Sequence, residues 1–500
     1  MIDVFYSLVG VHQRFDRLAL DSLYIHHLDF VMKPLFDRNS PVDNQLLDRI
    51  YTKILPRIHH KVNKLTLEPL SIECVLNTVH YPQLHSISFV NFHYETLLRH
   101  LQGDTIVRLL TDQITHLDIY ICEKTTEMSE KNELSILVFI LSMGKHLNDL
   151  IYNQWLSESA IRILPLNLLS KSLKSSSLTK LRIEVNAFDE CLYLLDGRLE
   201  CLSTLIIYIC EITNSSSNTN NTKTLPKLKC FSLASNWYTY CYDNEIVSLL
   251  RRMLNLEELT LFLSVIRTES TYINGKQLND EVLIHIPRLN KFTFNIHTHV
   301  INNNIKIDLP SNDDIRNSFI KIGYQQVDSF ADDKLVNNRG NCHVYSLPYQ
   351  FRNFMFMNSA FQGGGFDKVR CLIMFDRRPF EYELFKIISR DFPFLENLTL
   401  RNSEPQQNKQ QQSSIFITFV HLVELDLHSI HIDYVVQFLS DRNILLPRLK
   451  NLYIDYEPLI TVTNHFTNDA TRLNCAKIEQ LFIKEPFVRP ENFQSYFPLL

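Results

Sequence analysis

An α/β solenoid, with a curved parallel sheet on one side and helices on the outer face, is the fold class that this 500-residue sequence predicts. A short aliphatic pattern recurs along the chain, prolines recur at one position relative to it, and the stretches in between carry helical periodicity. The phrase "LPKLKCFSL" at 225–233 returns as "LPRLKNLYI" at 446–454, with the proline and three apolar residues at identical spacing.

The pattern is apolar-x-x-apolar-x-apolar. It starts at Val62, Leu84, Ile114, Leu147, Leu178, Leu202, Leu228, Leu256, Leu289, Val369, Leu395, Leu422, Leu449 and Ile478. Successive starts lie 22 to 33 residues apart, except for one gap of 80 after Leu289. That spacing is the leucine-rich-repeat range with irregular insertions. Five of the 18 prolines (Pro82, Pro226, Pro287, Pro393 and Pro447) stand two residues before a start, where chance places about one. Proline cannot continue a helix, so each ends one segment and launches an extended one.

Taken in order, residues 1–30 form a helical segment and 31–500 an irregular leucine-rich-repeat solenoid. Residues 71–82, 244–254, 382–393 and 432–440 carry apolar residues at i, i+3, i+4 and i+7, the period of half-buried helices, with Ser71 and Asn244 in N-cap positions. Loops are expected near 213–224 and 403–414, which are polar and of low complexity, and over 300–365, inside the long gap. The run Gly363-Gly364-Gly365 lacks the flanking residues of a phosphate-binding loop and reads as a flexible hinge.

Composition excludes several classes of function. At 45% hydrophobic and 21% charged the chain can bury a large core, and a net charge of −5 offers no basic excess for nucleic acid. The ten cysteines stand singly, with no CxxC pair, which argues against both a zinc site and a disulfide scaffold. The first residues carry an acidic residue where a signal peptide needs a basic region and lack a small-residue cleavage site, and the longest apolar run, 134–143, is about half of a membrane span. A cytoplasmic or nuclear location, without membrane contact, is expected.

No HExxH, GxSxG or kinase signature is present, so neither an enzyme nor a bound cofactor or metal is expected. His26-His27, His59-His60 and the pair His297 and His299 read as exposed or core-edge histidines.

Val4, Phe5, Leu8, Val11, Phe15 and Leu18 share one side of an N-terminal helical pattern. With Asp3-Val4-Phe5, Arg14-Phe15 and Leu18-Ala19 in place, this stretch resembles the second half of an F-box, and it stands directly before the repeats, as in F-box proteins of the leucine-rich-repeat type. The resemblance implies a substrate-recruiting subunit of an SCF-type ubiquitin ligase. Those six apolar residues would then meet a Skp1-like adaptor while the solenoid holds an unidentified protein target. The alternative is a repeat scaffold with no ligase link, its first helix merely capping the solenoid. On strands of period two the residues alternating with the core leucines face the target, and Arg182, Glu258, Asp426, Tyr453 and Phe482 are the candidate contacts. Tyr453 and Phe482 are the most anchor-like of these.

Overall fold

The computed structural model describes residues 12–14, 25–31, 50–122, 133–154, 174–215, 225–301, 308–332, 334–335, 337–407, 417–484, 487 and 489–500. The fold is mixed α/β, with a large parallel sheet and helices, and no closed barrel forms among the described residues. The chain divides into two compact units, residues 1–260 with 282–292 and residues 261–281 with 293–500. All six F-box-like positions, Val4, Phe5, Leu8, Val11, Phe15 and Leu18, lie outside the described residues, as do 216–224 and 408–416 of the two expected polar loops.

In the first unit eight strands pair in chain order, all parallel: β1 (His27–Asp29), β2 (Lys64–Leu67), β3 (Ser86–Phe92), β4 (His116–Ile121), β5 (Asp149–Gln154), β6 (Lys180–Ala187), β7 (Thr204–Glu211) and β8 (Cys230–Thr239). The middle residue of each aliphatic pattern falls at one level, so Leu65, Ile87, Leu117, Leu150, Leu181, Leu205 and Phe231 form a buried ladder across the sheet. Period-two alternation puts these side chains in the core and their neighbours on the opposite face.

Two backbone devices set this register. Just before each strand, one carbonyl accepts two N–H bonds from the next repeat: Asn63 from His85 and Ser86, His85 from Thr115 and His116, Thr115 from Asn148 and Asp149, at 2.8–3.1 Å. Ahead of that, a turn closes from the first pattern residue back three positions, as in Leu84 N–H to Tyr81 O at 3.3 Å and Leu228 N–H to Leu225 O at 3.3 Å. The recurrent prolines occupy the second position of these turns, where a fixed φ is already correct.

Helices follow the strands, and their buried stripes close the core: Ile72, Val75 and Leu76 in Ile72–Thr78, and Tyr94, Leu97 and Leu101 in Tyr94–Leu101. The two expected caps divide. Ser71 stands at the N-cap of Ile72–Thr78, as expected, but its hydroxyl makes no bond to the helix and instead accepts the Glu68 N–H and donates to the Glu68 carbonyl at 3.1 Å each, closing the preceding turn. Asn244 sits inside the wide turn Tyr242–Ile246, ahead of the helix Val247–Leu250.

Strands β9 (Glu258–Arg267) and β10 (Lys291–Ile301) run from the first unit into the second. The stretch 300–365 is not the expected loop. It holds the helix Asn312–Lys321, whose Ser311 and Asp314 form a reciprocal capping box, followed by β11 (Val327–Ala331), β12 (Arg339–Ser346) and β13 (Asn353–Met357). β12 pairs antiparallel with both β10 and β11. The β-branched Val344 beside the aromatic Tyr345 in "CHVYS" is a strand signal that the search for one aliphatic pattern passed over. His26, His27 and His60 are exposed as expected, but His297 is buried, 2% exposed, beside His343 on the neighbouring strand at 1%.

Parallel pairing then resumes through β13, β14 (Cys371–Phe375), β15 (Asn397–Arg401), β17 (Glu424–Leu427), β19 (Asn451–Ile454) and β20 (Gln480–Phe482), while the short β16 (Ile417–Thr418) and β18 (Ile444–Leu445) pair beside it. Leu372, Leu398, Leu425, Leu452 and Leu481 form a second ladder of the same kind within this sheet. An aromatic cluster of Phe330, Tyr345, Tyr349, Phe354, Phe361, Phe366 and Phe392 fills the core where the antiparallel strands meet this sheet. Gly363 and Gly364 wrap the end of the helix Tyr382–Asp391: the Gly364 N–H donates to Asp391 Oδ2 at 2.8 Å, and a Cβ on Gly363 would lie 2.7 Å from that oxygen. Gly363 also takes φ = 115°, so both space and backbone demand glycine there.

Candidate functional site

The face of the second unit's sheet turned away from its core is built by alternation. Its rows read Asn397–Glu424–Asn451–Gln480 and Thr399–Asp426–Tyr453–Phe482 across β15, β17, β19 and β20. In the first row the Asn397 and Asn451 amides donate to the two oxygens of Glu424 at 3.1 and 3.2 Å. In the second, Asp426 is gripped by the Arg401 guanidinium, while its Oδ1 faces the His428 ring Nδ1 at 3.1 Å and accepts the His428 backbone N–H at 3.0 Å. Along the lower margin Lys450 pairs with Glu479 at 2.8 Å and Arg352 with Glu396 at 3.0 Å.

What stands clear of this pairing is aromatic. The Tyr453 and Phe482 rings stack with centroids 4.2 Å apart and planes 9° apart, and Phe482 is 40% exposed. The His428 ring lies edge-on to Tyr453 at 6.1 Å, and its buried Nε2 meets no partner among the described residues. Phe375, 42% exposed, lies on the same face level with Arg401. The chemistry offered is recognition: an apolar platform beside one unfilled imidazole nitrogen, in a field of charges that already neutralise one another.

Of the five candidate contacts, the structure brings Asp426, Tyr453 and Phe482 into one row. Arg182 and Glu258 lie in the first unit. Arg182 is exposed, level with Ile151 and Ile206, and Glu258 forms a surface pair with Lys291 at 3.0 Å, an arrangement of little energy. Arg401, His428 and Phe375 were not among the candidates, although each lies two residues beyond a residue of the same face, so extending the period of two by one step finds them.

A second polar cluster is internal to the same unit. Asp332 accepts the Asn341 backbone and side-chain N–H groups at 2.9 and 3.1 Å and contacts Arg378; Asn341 Oδ1 meets His299 Nδ1 at 2.7 Å, and Asp376 accepts the Ser359 N–H at 2.7 Å. Burial pushes the Asp332 carboxyl up, with Arg378 opposing, and pushes the His299 imidazole down. With its acceptors filled from within, this network ties β11, β12 and the loop after β13 together. In the first unit, a cleft of about 300 Å³ between Leu194, Leu195, Leu199, Leu202, Leu225 and Leu228 is apolar, with Glu200 and Lys227 also on its walls.

Among the described residues no group of three or more His, Cys, Asp or Glu side chains is placed to hold a metal ion, and no helix is long and apolar enough to cross a membrane. Compared with known proteins, the chain matches no protein-family model and no curated protein.

Proposed function

We propose that this chain is a protein-binding leucine-rich-repeat solenoid that does no chemistry of its own and holds a target protein against its strand face. The observation that carries the reading is the Tyr453–Phe482 stack, at 4.2 Å and 9°, raised on a rigid parallel sheet whose charged side chains are paired within the face. Aromatic anchors with a desolvated polar group beside them are the composition of interface hot spots. A parallel sheet repeated at a fixed backbone register is a scaffold that holds such groups still.

The ubiquitin-ligase role is supported by the N-terminal run alone. There Asp3-Val4-Phe5, Arg14-Phe15 and Leu18-Ala19 resemble half of an F-box, and Val4, Phe5, Leu8, Val11, Phe15 and Leu18 would meet a Skp1-like adaptor. A cytoplasmic or nuclear location accords with both roles. The deciding experiment is reconstitution of the full chain with purified Skp1. A complex lost in Phe5→Asp and Phe15→Asp makes the chain a ligase adaptor. No complex, or one that both variants retain, leaves a scaffold whose binding depends on Tyr453 and Phe482 only.

A further inference from the structure

Four strands end the two larger sheets: β1, β11, β13 and β20. Three have their apolar residues covered, with Leu28 at 2%, Val327 and Phe330 on opposite faces at 5% and 4%, and Phe354 and Met357 at 0% exposure. β20 differs. Its ladder residue Leu481 and the next inward residue Ile483 are only partly buried, whereas Leu372, Leu398, Leu425 and Leu452 on the preceding strands are 0–1% exposed. The apolar ladder therefore runs off the end of the sheet at β20.

The hydrogen-bonding groups there are placed for a further strand. In a parallel pair alternate residues direct their N–H and C=O groups to the same neighbour. The Gln480 N–H is spent on Lys450 O of the β19 side at 3.0 Å, so Leu481 and Ile483 direct theirs to the free side, where no strand lies among the described residues.

We infer that this edge pairs with the same edge of a second copy, making an antiparallel two-stranded junction about a two-fold axis at Phe482. A closed contact between identical edges requires a two-fold, and a two-fold makes the strands antiparallel. The sequence "QLFIK" at 480–484 is self-complementary in that register. Leu481 stands opposite the partner's Ile483 as a hydrogen-bonded pair, closing the half-open core. Phe482 stands opposite the partner's Phe482 as a non-hydrogen-bonded pair, with Cα atoms about 4.5 Å apart. Gln480 meets the partner's Lys484, so no like charges oppose one another. On the outward face the Tyr453–Phe482 stack continues into its symmetry mate, giving four rings in a row. A self-pairing edge also removes the open strand that would otherwise invite aggregation.

The test is sedimentation velocity of the full chain over a wide concentration range, with two variants. Leu481→Pro deletes an N–H that no bond among the described residues uses, and Phe482→Cys replaces an exposed side chain at the axis. The inference expects a reversible dimer for the unaltered chain and a monomer for Leu481→Pro. It further expects a disulfide-linked dimer for Phe482→Cys under mild oxidation, well above the background of the ten native cysteines, and none for Gln480→Cys. A chain that stays monomeric throughout, with Phe482→Cys crosslinking no more than the unaltered chain, overturns it. So does a dimer that Leu481→Pro leaves intact, or a monomer whose edge takes up a synthetic QLFIK peptide, which would mark strand addition by another protein.

Discussion

Phe366 and Phe392 lie face to face, with ring centroids 4.5 Å apart and planes 2° apart. Phe366 begins the turn leading into β14, and Phe392 ends the helix Tyr382–Asp391 and opens the turn into β15, so one stack joins two successive repeats at the same point of each. Both rings are buried, 0% and 1% exposed. Phe392→Ala removes a ring that also contacts Phe354 and Phe361, and is expected to destabilise the second unit by about 3–5 kcal/mol, seen as a lower urea midpoint.

Tyr453 and Phe482 are expected to act as binding anchors. Tyr453→Ala should weaken a bound protein target by about 2 kcal/mol or more, measured by calorimetry against the unaltered chain. Because Asp426, Glu424 and Glu479 are already paired within the chain, affinity should change little between low and physiological salt. A strong fall with salt would assign the binding to charged residues elsewhere.

Glu184 on β6 is a half-buried carboxyl, and desolvation pushes it up to about 7 while the Cys210 thiol, 3.8 Å away, partly offsets this. The folded chain therefore holds this proton more tightly than the unfolded chain, whose value is 4.5. Its contribution is favourable at low pH and is lost as pH rises from 4.5 toward 7. Glu184→Gln should raise stability by roughly 1–3 kcal/mol near pH 8 and change little near pH 4, read from denaturant midpoints.

His343 runs the other way. Burial pushes its imidazole down to about 3, and its Nε2 is 2.8 Å from Asn295 Oδ1. The unfolded chain takes up this proton below 6.5 while the folded chain refuses it, so stability falls as pH drops from 6.5 toward 3, by at most about 1.4 kcal/mol per pH unit. His343→Gln keeps a donor for Asn295 and should flatten the acid side of the stability profile. An unchanged acid slope would place the imidazole's proton uptake outside this window.

The parallel strands were legible because one aliphatic pattern encodes both the strand and its register. From Leu65 to Phe231 and from Leu372 to Leu481, each middle residue falls on the ladder where its spacing puts it. One further unit obeyed the same rule unnoticed, Ile25-Leu28-Phe30 at β1, and a second, Phe351-Phe354-Phe356 at β13, follows it only as far as Phe354, after which the register shifts and Met357 takes the inward place. The antiparallel β11 and β12 carry no such triplet, since their buried side chains, among them Val327, Phe330, Cys342 and Val344, are divided between both faces, and pairing between distant strands leaves no periodic trace. The candidate face was legible in alternation but not in its pairing. That Arg401 would reach Asp426 depends on two strands brought level by the fold.

The carbonyls of Asn63, His85, Thr115, Asn148, Thr179 and Ser203 each receive two main-chain N–H groups of the next repeat, and the hydroxyls of Thr115, Thr179 and Ser203 only add a third bond to the carbonyls of His85, Asn148 and Thr179. What all six share is the backbone atom they lend, so an exchange at any of them leaves the main-chain part of the junction in place. Over evolutionary time such a chain can rewrite its letters at the joints, and lengthen or shorten what lies between them, while its strands stay level. Kinship among proteins joined this way will fade from the sequence long before it fades from the shape of the main chain.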